Sequence, residues 1–163
     1  MAKSELSETG VDFLLLSDAA QVSPDGKLHL IGGGLAWLTR AVSPSPGIPT
    51  PPTSFSIVVS FRIGWNDTNT EFPLRITIGN LDDTDTLVEV SANVIAGRPP
   101  QLSAGDSVHV PLAVPVLAQF PKAGHYVVRA SLTYRPGEER DKSVRFTVVD
   151  APMPPAPPTA LKP

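Results

Sequence analysis

The residues able to do chemistry are few and scattered. His29, His109 and His125 are widely spaced, and none falls in an HxH or HExxH pattern. Zinc takes about three or four ligands, and a chain without cysteine would have to draw them from carboxylates as well. The lack of cysteine also removes disulfides and thiol nucleophiles. Gly32-Gly33-Gly34 is followed by Leu35, Ala36 and Trp37, without the Gly-Lys-Ser/Thr of a P-loop or the spaced glycines of a dinucleotide fold. The triplet is expected to be structural, a bulge or a close approach of backbone. Asp82, Asp83 and Asp85 cluster with Asn80. Such oxygens can hold calcium, but they are equally the ordinary chemistry of a tight turn, and no EF-hand glycine or distal glutamate accompanies them. No GxSxG elbow marks a serine nucleophile. Catalytic, cofactor-binding and metal-binding residues are therefore assigned to none, with a hydrolase as the residual enzymatic reading.

Two features remain as candidate interaction residues. Asp18 shares strand parity with Leu14, Leu16, Ala20 and Val22, which would place an acid on a partly apolar face. It is either a partner-binding carboxylate or, as we prefer, a buried acid accepting backbone N–H groups beside the SPDGK turn. Pro152, Pro154, Pro155, Pro157 and Pro158 form PxxP-type spacing near the C-terminus, which an aromatic groove on a partner could accept. Trp37, Trp65 and Tyr134 are the aromatics that could stack on a sugar, although Trp65 and Tyr134 also fit a core pattern.

The elements that must position these residues read as strands. In Ser54–Trp65, Phe55, Ile57, Val59, Phe61, Ile63 and Trp65 alternate strictly with Ser56, Val58, Ser60, Arg62 and Gly64. Alternation of that length cannot make one face of a helix. Phe72–Ile78, Val88–Val94, Tyr126–Tyr134 and Val144–Val148 repeat the pattern. Two earlier apolar runs, Val11–Val22 and Leu28–Arg40, flank the turn chemistry of Pro24-Asp25-Gly26. No segment carries a 3.6-residue period. The expected fold is all-β, about eight antiparallel strands in a two-sheet, immunoglobulin-like sandwich, with a closed barrel as the alternative. Pro111 and Pro115 share parity in Val108–Ala118, so both missing N–H groups lie on one lateral side and predict an edge strand. Strands that each cross once would gather Ser23–Lys27, Asn66–Thr70, Gly97–Ser107 and Arg135–Glu139 at one end. Ala41–Thr53, Leu81–Asp85 and Gln119–Gly124 would meet at the other. Val58, Ile95, Val127 and Val149 are expected to point outward.

A length of 163 residues suits one domain, and 41% apolar content suffices for a core. A net charge of −3 without charge blocks argues against a nucleic-acid face. The polar start and the lack of a long apolar run argue against a signal peptide and membrane insertion, so a cytoplasmic location is expected. The domain is placed at 11–149, after a polar lead at 1–10 and before a disordered proline-rich tail at 150–163. Ala41–Thr53 is a second proline-rich stretch, read as a semi-rigid connection.

Phe13–Gly34 (FLLLSDAAQVSPDGKLHLIGGG) resembles the opening of a bacterial family catalogued only as a domain of unknown function. The features are Ser17-Asp18 after an apolar strand, Asp25-Gly26-Lys27-Leu28, and a second strand from Leu28. The likeness continues through Phe55–Arg62 and into Pro121–Leu132, whose Pro-x-x-Gly-x-Tyr opening is also similar to immunoglobulin-like sandwiches. The resemblance implies an all-β bacterial domain and brings no activity with it. The expectation is thus a non-catalytic module without cofactor that binds a protein partner or itself. A small-ligand or carbohydrate-binding module using a loop end is the alternative.

Overall fold

A computed structural model describes residues 9–42, 49–81 and 85–153. Ten strands are present among them: β1 (Gly10–Ser17), β2 (Ala19–Val22), β3 (Leu28–Ile31), β4 (Trp37–Val42), β5 (Thr53–Gly64), β6 (Glu71–Asn80), β7 (Thr86–Ile95), β8 (Ser107–Ala118), β9 (Gly124–Arg135) and β10 (Glu138–Pro152). They form a three-stranded sheet in the order β1-β5-β8, a five-stranded sheet in the order β4-β10-β9-β6-β7, and a separate β2-β3 hairpin. The two larger sheets face one another, and the core is built from their inner rows. Those rows include Ile57, Val59, Phe61 and Ile63 of β5, Leu74, Ile76 and Ile78 of β6, and Val128, Ala130 and Leu132 of β9.

The strand count exceeds eight because each of the two early apolar runs breaks in the middle. Val11–Val22 divides at Asp18 into β1 and β2, and Leu28–Arg40 divides at the glycine triplet into β3 and β4. The two breaks lie against each other. Asp18 donates its N–H to the Ile31 carbonyl (3.1 Å), and the N–H groups of Gly34 and Leu35 both reach the Leu16 carbonyl (2.8 and 3.2 Å). Gly32 sits at φ +63°, and a Cβ there would lie 2.0 Å from Asp18 Oδ2. The triplet is the close backbone approach expected of it.

This break also overturns the single-crossing scheme for the first turn. β1 is antiparallel to β5, from Gly10 opposite Arg62 to Ser17 opposite Ser56. It therefore starts at the Asn66 end and leaves at the other, so the Ser23–Lys27 turn is reached from the end opposite to the one anticipated. β4 then enters the five-stranded sheet beside β10 in a parallel pairing, Trp37 opposite Thr147 through Val42 opposite Pro152. The remaining ladders within both sheets are antiparallel.

Among the described residues β8 pairs with β5 alone and ends its sheet, as Pro111 and Pro115 predict. At its C-terminal end Phe120 leaves the strand and enters the core. Its ring lies 4.9 Å from Tyr126 and 5.9 Å from Phe146, with Phe55 at 6.3 Å. The Tyr126 hydroxyl donates to the Lys122 carbonyl (2.8 Å). The Pro-x-x-Gly-x-Tyr segment thus folds back on itself through a buried tyrosine corner.

The hairpin packs across β8 and β5 on the side away from the core. Its cover buries the second face of β5: Ser56, Val58 and Ser60 are enclosed, Val58 completely. Val58 was expected to point to solvent, and it does point away from the main core, but into the hairpin. Of the other three, Ile95 and Val149 are exposed and Val127 is half-buried.

Candidate interaction surfaces

Asp18 is exposed rather than buried. The parity argument assumed one continuous strand, and the chain turns from β1 into the hairpin at this residue. Its carboxylate leans over Gly32 at the outer junction of hairpin and sandwich. Pro152 is not part of a free tail: it is the last rung of β10, opposite Val42, and Met153 adds an N–H bond to the Val42 carbonyl (3.1 Å). Pro154, Pro155, Pro157 and Pro158 lie outside the described residues, as do Asp82 and Asp83 of the candidate calcium cluster.

The hairpin beyond Asp18 is the most apolar exposed element. Pro24 and Asp25 lead into Gly26 at φ +79°, and Ser23 closes the turn by donating its N–H to the Lys27 carbonyl (2.9 Å). At this tip the Lys27 ammonium and the Ser23 hydroxyl hold the Asp25 carboxyl below the usual carboxylate range. Behind the tip, Val22, Leu30 and Ile31 are exposed, Ile31 by 72%. Hairpin residues from Ala19 to Gln21 and Leu28 to Ile31 line a concavity of about 730 Å³. A two-stranded ribbon is marginal on its own in water. This one is held from beneath and leaves both lateral edges unpaired among the described residues.

The opposite end of the sandwich is polar. Asn66–Thr70, Gly97–Ser107 and Arg135–Glu139 do meet there, joined by Trp65 N–H to the Asp106 carbonyl (3.0 Å) and Asn69 N–H to the Ala96 carbonyl (2.7 Å). Their side chains, with Thr9, border a cavity of about 440 Å³. The charged groups around it are committed to one another. Arg140 binds Glu138 (2.8 Å) and the Thr9 carbonyl, and its guanidinium lies 3.9 Å from the Tyr134 ring centre. Arg98 stacks 4.0 Å over the Trp65 ring and donates to Thr68 Oγ1 (2.7 Å). Asp67 accepts from the Thr9 hydroxyl and, at 3.4 Å, from Tyr134.

Thr9 anchors this end. It is buried, donates to Asp67, and accepts from the Gly64 N–H (2.9 Å) where β5 finishes in a 3-10 turn at Trp65–Asp67. Thr9→Val keeps the shape and leaves the buried Gly64 N–H without its acceptor. The expected loss is about 1–3 kcal/mol of unfolding free energy, read from denaturant curves of unchanged slope. A loss below about 0.5 kcal/mol would show that Thr9 does not hold the corner.

The aromatics do not assemble into a platform. Trp37 stands on β4, 66% exposed, whereas Trp65 and Tyr134 lie at the polar end beneath guanidiniums. The histidines also stay apart: His29 is on the hairpin, His109 faces Asp12 (3.3 Å), and His125 contacts Thr147 (3.2 Å). Among the described residues no group of three or more His, Asp or Glu is placed to hold a metal, and no helix is long and apolar enough to cross a membrane. The hairpin surface, by contrast, was not anticipated. Its sequence signal was the pair of early runs that looked apolar on both faces.

No curated protein matches the chain. Among solved structures it is similar to the crystal structure of the PmoD soluble domain from Methylocystis sp. ATCC 49242 (Rockwell), at 14% identity and a TM-score of 0.41. That likeness covers 86% of this chain and 97% of the other. The model of a family of unknown function, DUF6941, matches residues 12–149, from the third residue of β1 to within β10. On that match, which takes in the hairpin, both sheets and the polar end, the chain belongs to the DUF6941 family of unknown function.

Proposed function

We propose that this chain is a non-catalytic interaction and assembly module on an immunoglobulin-like sandwich, with the β2-β3 hairpin as its contact with a protein partner. The carrying observation is the set of exposed apolar side chains, Val22, Leu30 and Ile31, on a ribbon whose edges are unpaired among the described residues. A strand or loop of a partner laid along the ribbon can bury these side chains and complete the ribbon's hydrogen bonds at the same time. The parallel β4-β10 pair and the Tyr126 corner support the immunoglobulin-like reading. A cytoplasmic setting fits a cysteine-free chain. The polar cavity beside Thr9 favours a second reading, a small-ligand site, which would be supported if a ligand stabilised the parent chain but not an Arg135→Ala variant.

The test is quantitative co-purification from the native cell extract with three baits: the intact chain, a chain ending at Met153, and a Leu30→Ser/Ile31→Ser double variant. Cutting at Met153 preserves every rung between β4 and β10, which a cut at Asp150 would not. The expected result is one partner at near-stoichiometric amount, kept by the truncation and lost by the double variant. A partner that survives the double variant, or no partner at all, overturns the hairpin reading. Loss on truncation would move the contact to the proline-rich segment.

A further inference from the structure

The four sheet edges are not equally protected. β8 carries Pro111 and Pro115. β1 has a bulge between Val11 and Phe13, and side chains of β10 occupy the carbonyls beside it: Lys142 that of Asp12 and Arg140 that of Thr9. β4 is six residues long. β7 runs for ten residues, TLVEVSANVI, with neither proline nor lysine, and among the described residues pairs with β6 alone. Its one irregularity falls at its start, opposite Ile78 and Gly79, so Val88–Ile95 is in regular register. Its single charge, Glu89, is already bound to Arg75 on β6 (2.8 Å). Natural sheets blunt long apolar edges unless something pairs with them.

The same side of the sandwich is incompletely closed. Val88 and Val90 on β7, and Val108, Val110, Leu112 and Val114 on β8, face the core but are only half-buried. Ala92, next on the inner row of β7, is exposed. An added strand would shield this row, and it would have to pair with β7, because the prolines of β8 remove outward N–H groups.

We propose that the occupant is a second copy of this chain, its β7 pairing antiparallel with the first about a two-fold axis at Ser91. Opposed residues of antiparallel strands share a face, so the registers open to a two-fold pair are those centred on a single residue. Centring on Ser91 sets Val88 against Val94 and Val90 against Ala92 on the inner row. On the outer row it sets Glu89 against Asn93 and Ser91 against itself. Apolar meets apolar, polar meets polar, and the two glutamates do not oppose each other. The two five-stranded sheets become one continuous sheet. This deepens the assembly half of the proposed function and uses a surface separate from the hairpin.

Sedimentation equilibrium of the full chain tests it. The parent chain should sediment at twice its 17.2 kDa. Ser91 is exposed, so a charge there leaves the fold intact, which circular dichroism verifies. Ser91→Lys and Ser91→Glu each bring like charges together across the axis and should raise the dissociation constant several-fold, while an equimolar mixture should associate again. A parent chain that is monomeric at every concentration overturns the proposal, as does a dimer indifferent to both charges or a mixture that fails to rescue. The hairpin reading would stand or fall independently, since a Leu30→Ser/Ile31→Ser chain should still dimerise.

Discussion

Phe120→Ala should lower the unfolding free energy by about 3–5 kcal/mol, a large share of the roughly 5–15 kcal/mol that holds a domain together. Phe120 is not in a strand, yet it is 1% exposed and touches three aromatic rings from three strands: Phe55 of β5, Tyr126 of β9 and Phe146 of β10. Both sheets therefore meet on one ring at the end of the core. Truncation removes that contact and leaves a cavity between strands that cannot collapse without breaking their ladders. Arg40 braces the same segment from outside, donating to the Phe120 carbonyl (3.0 Å) and to Asp150 (2.7 Å). Denaturant unfolding monitored by far-ultraviolet circular dichroism measures the change, with a drop in melting temperature on the order of 10 °C. A loss under about 1 kcal/mol would mean that the ring does not join the sheets.

Phe120 is also a residue whose role the sequence did not disclose. Alternation marks side chains inside strands, and it marked those of Phe72–Ile78 and Tyr126–Tyr134 correctly, because each of those runs buries its apolar row more deeply than the opposite row. A lone aromatic between a strand and a Pro-x-x-Gly turn carries no period. The edge position of β8 was legible for a different reason: a missing N–H is a local covalent fact whose consequence follows from strand parity alone. Asp18 is the contrasting case. Its exposure depends on the break between β1 and β2, and that break depends on Gly32, fourteen positions away, arriving against it. Periodicity read within one run cannot register a contact made between two. Trp65 failed similarly, since the alternation of β5 runs through it while the chain turns into a 3-10 segment where Asp106 captures its N–H.

What links the misreadings of Asp18 and Val58 is the hairpin. Inserted between β1 and β4, it takes the end of the first early run and the start of the second, so residues that look like central-strand core become a cover laid over β5 and β8. One face of the ribbon, with Ala20, Val22, Leu28 and Leu30, is partly covered, while Ile31 stands on the opposite face, 72% exposed. That is why these runs look apolar on both faces. An element that is half core and half exposed apolar surface is the one expected to change least in fold and most in accessibility when a partner binds.

Val58→Ala distinguishes a seated hairpin from a loose one. Val58 is fully enclosed on the outer face of β5, opposite Ala113 on β8 and Leu15 on β1, and the hairpin crosses above it. With the hairpin seated, removal of two methyl groups forfeits about 0.8 kcal/mol each in transfer free energy, and the residual cavity brings the expected loss to about 2–3 kcal/mol. With the hairpin lifted in solution, Val58 would lie on a solvated sheet face and the change would fall within about 0.5 kcal/mol. Ile31→Ser supplies the control, because its side chain is 72% exposed, on the ribbon face opposite to the partly covered Ala20 and Leu28, and its loss should leave stability almost unchanged. A large effect at Val58 with none at Ile31 would establish that the hairpin is a fixed platform whose outer face is free for a partner. A null effect at Val58 would instead assign the hairpin to binding by rearrangement, with its partly covered face presented only when it leaves β5.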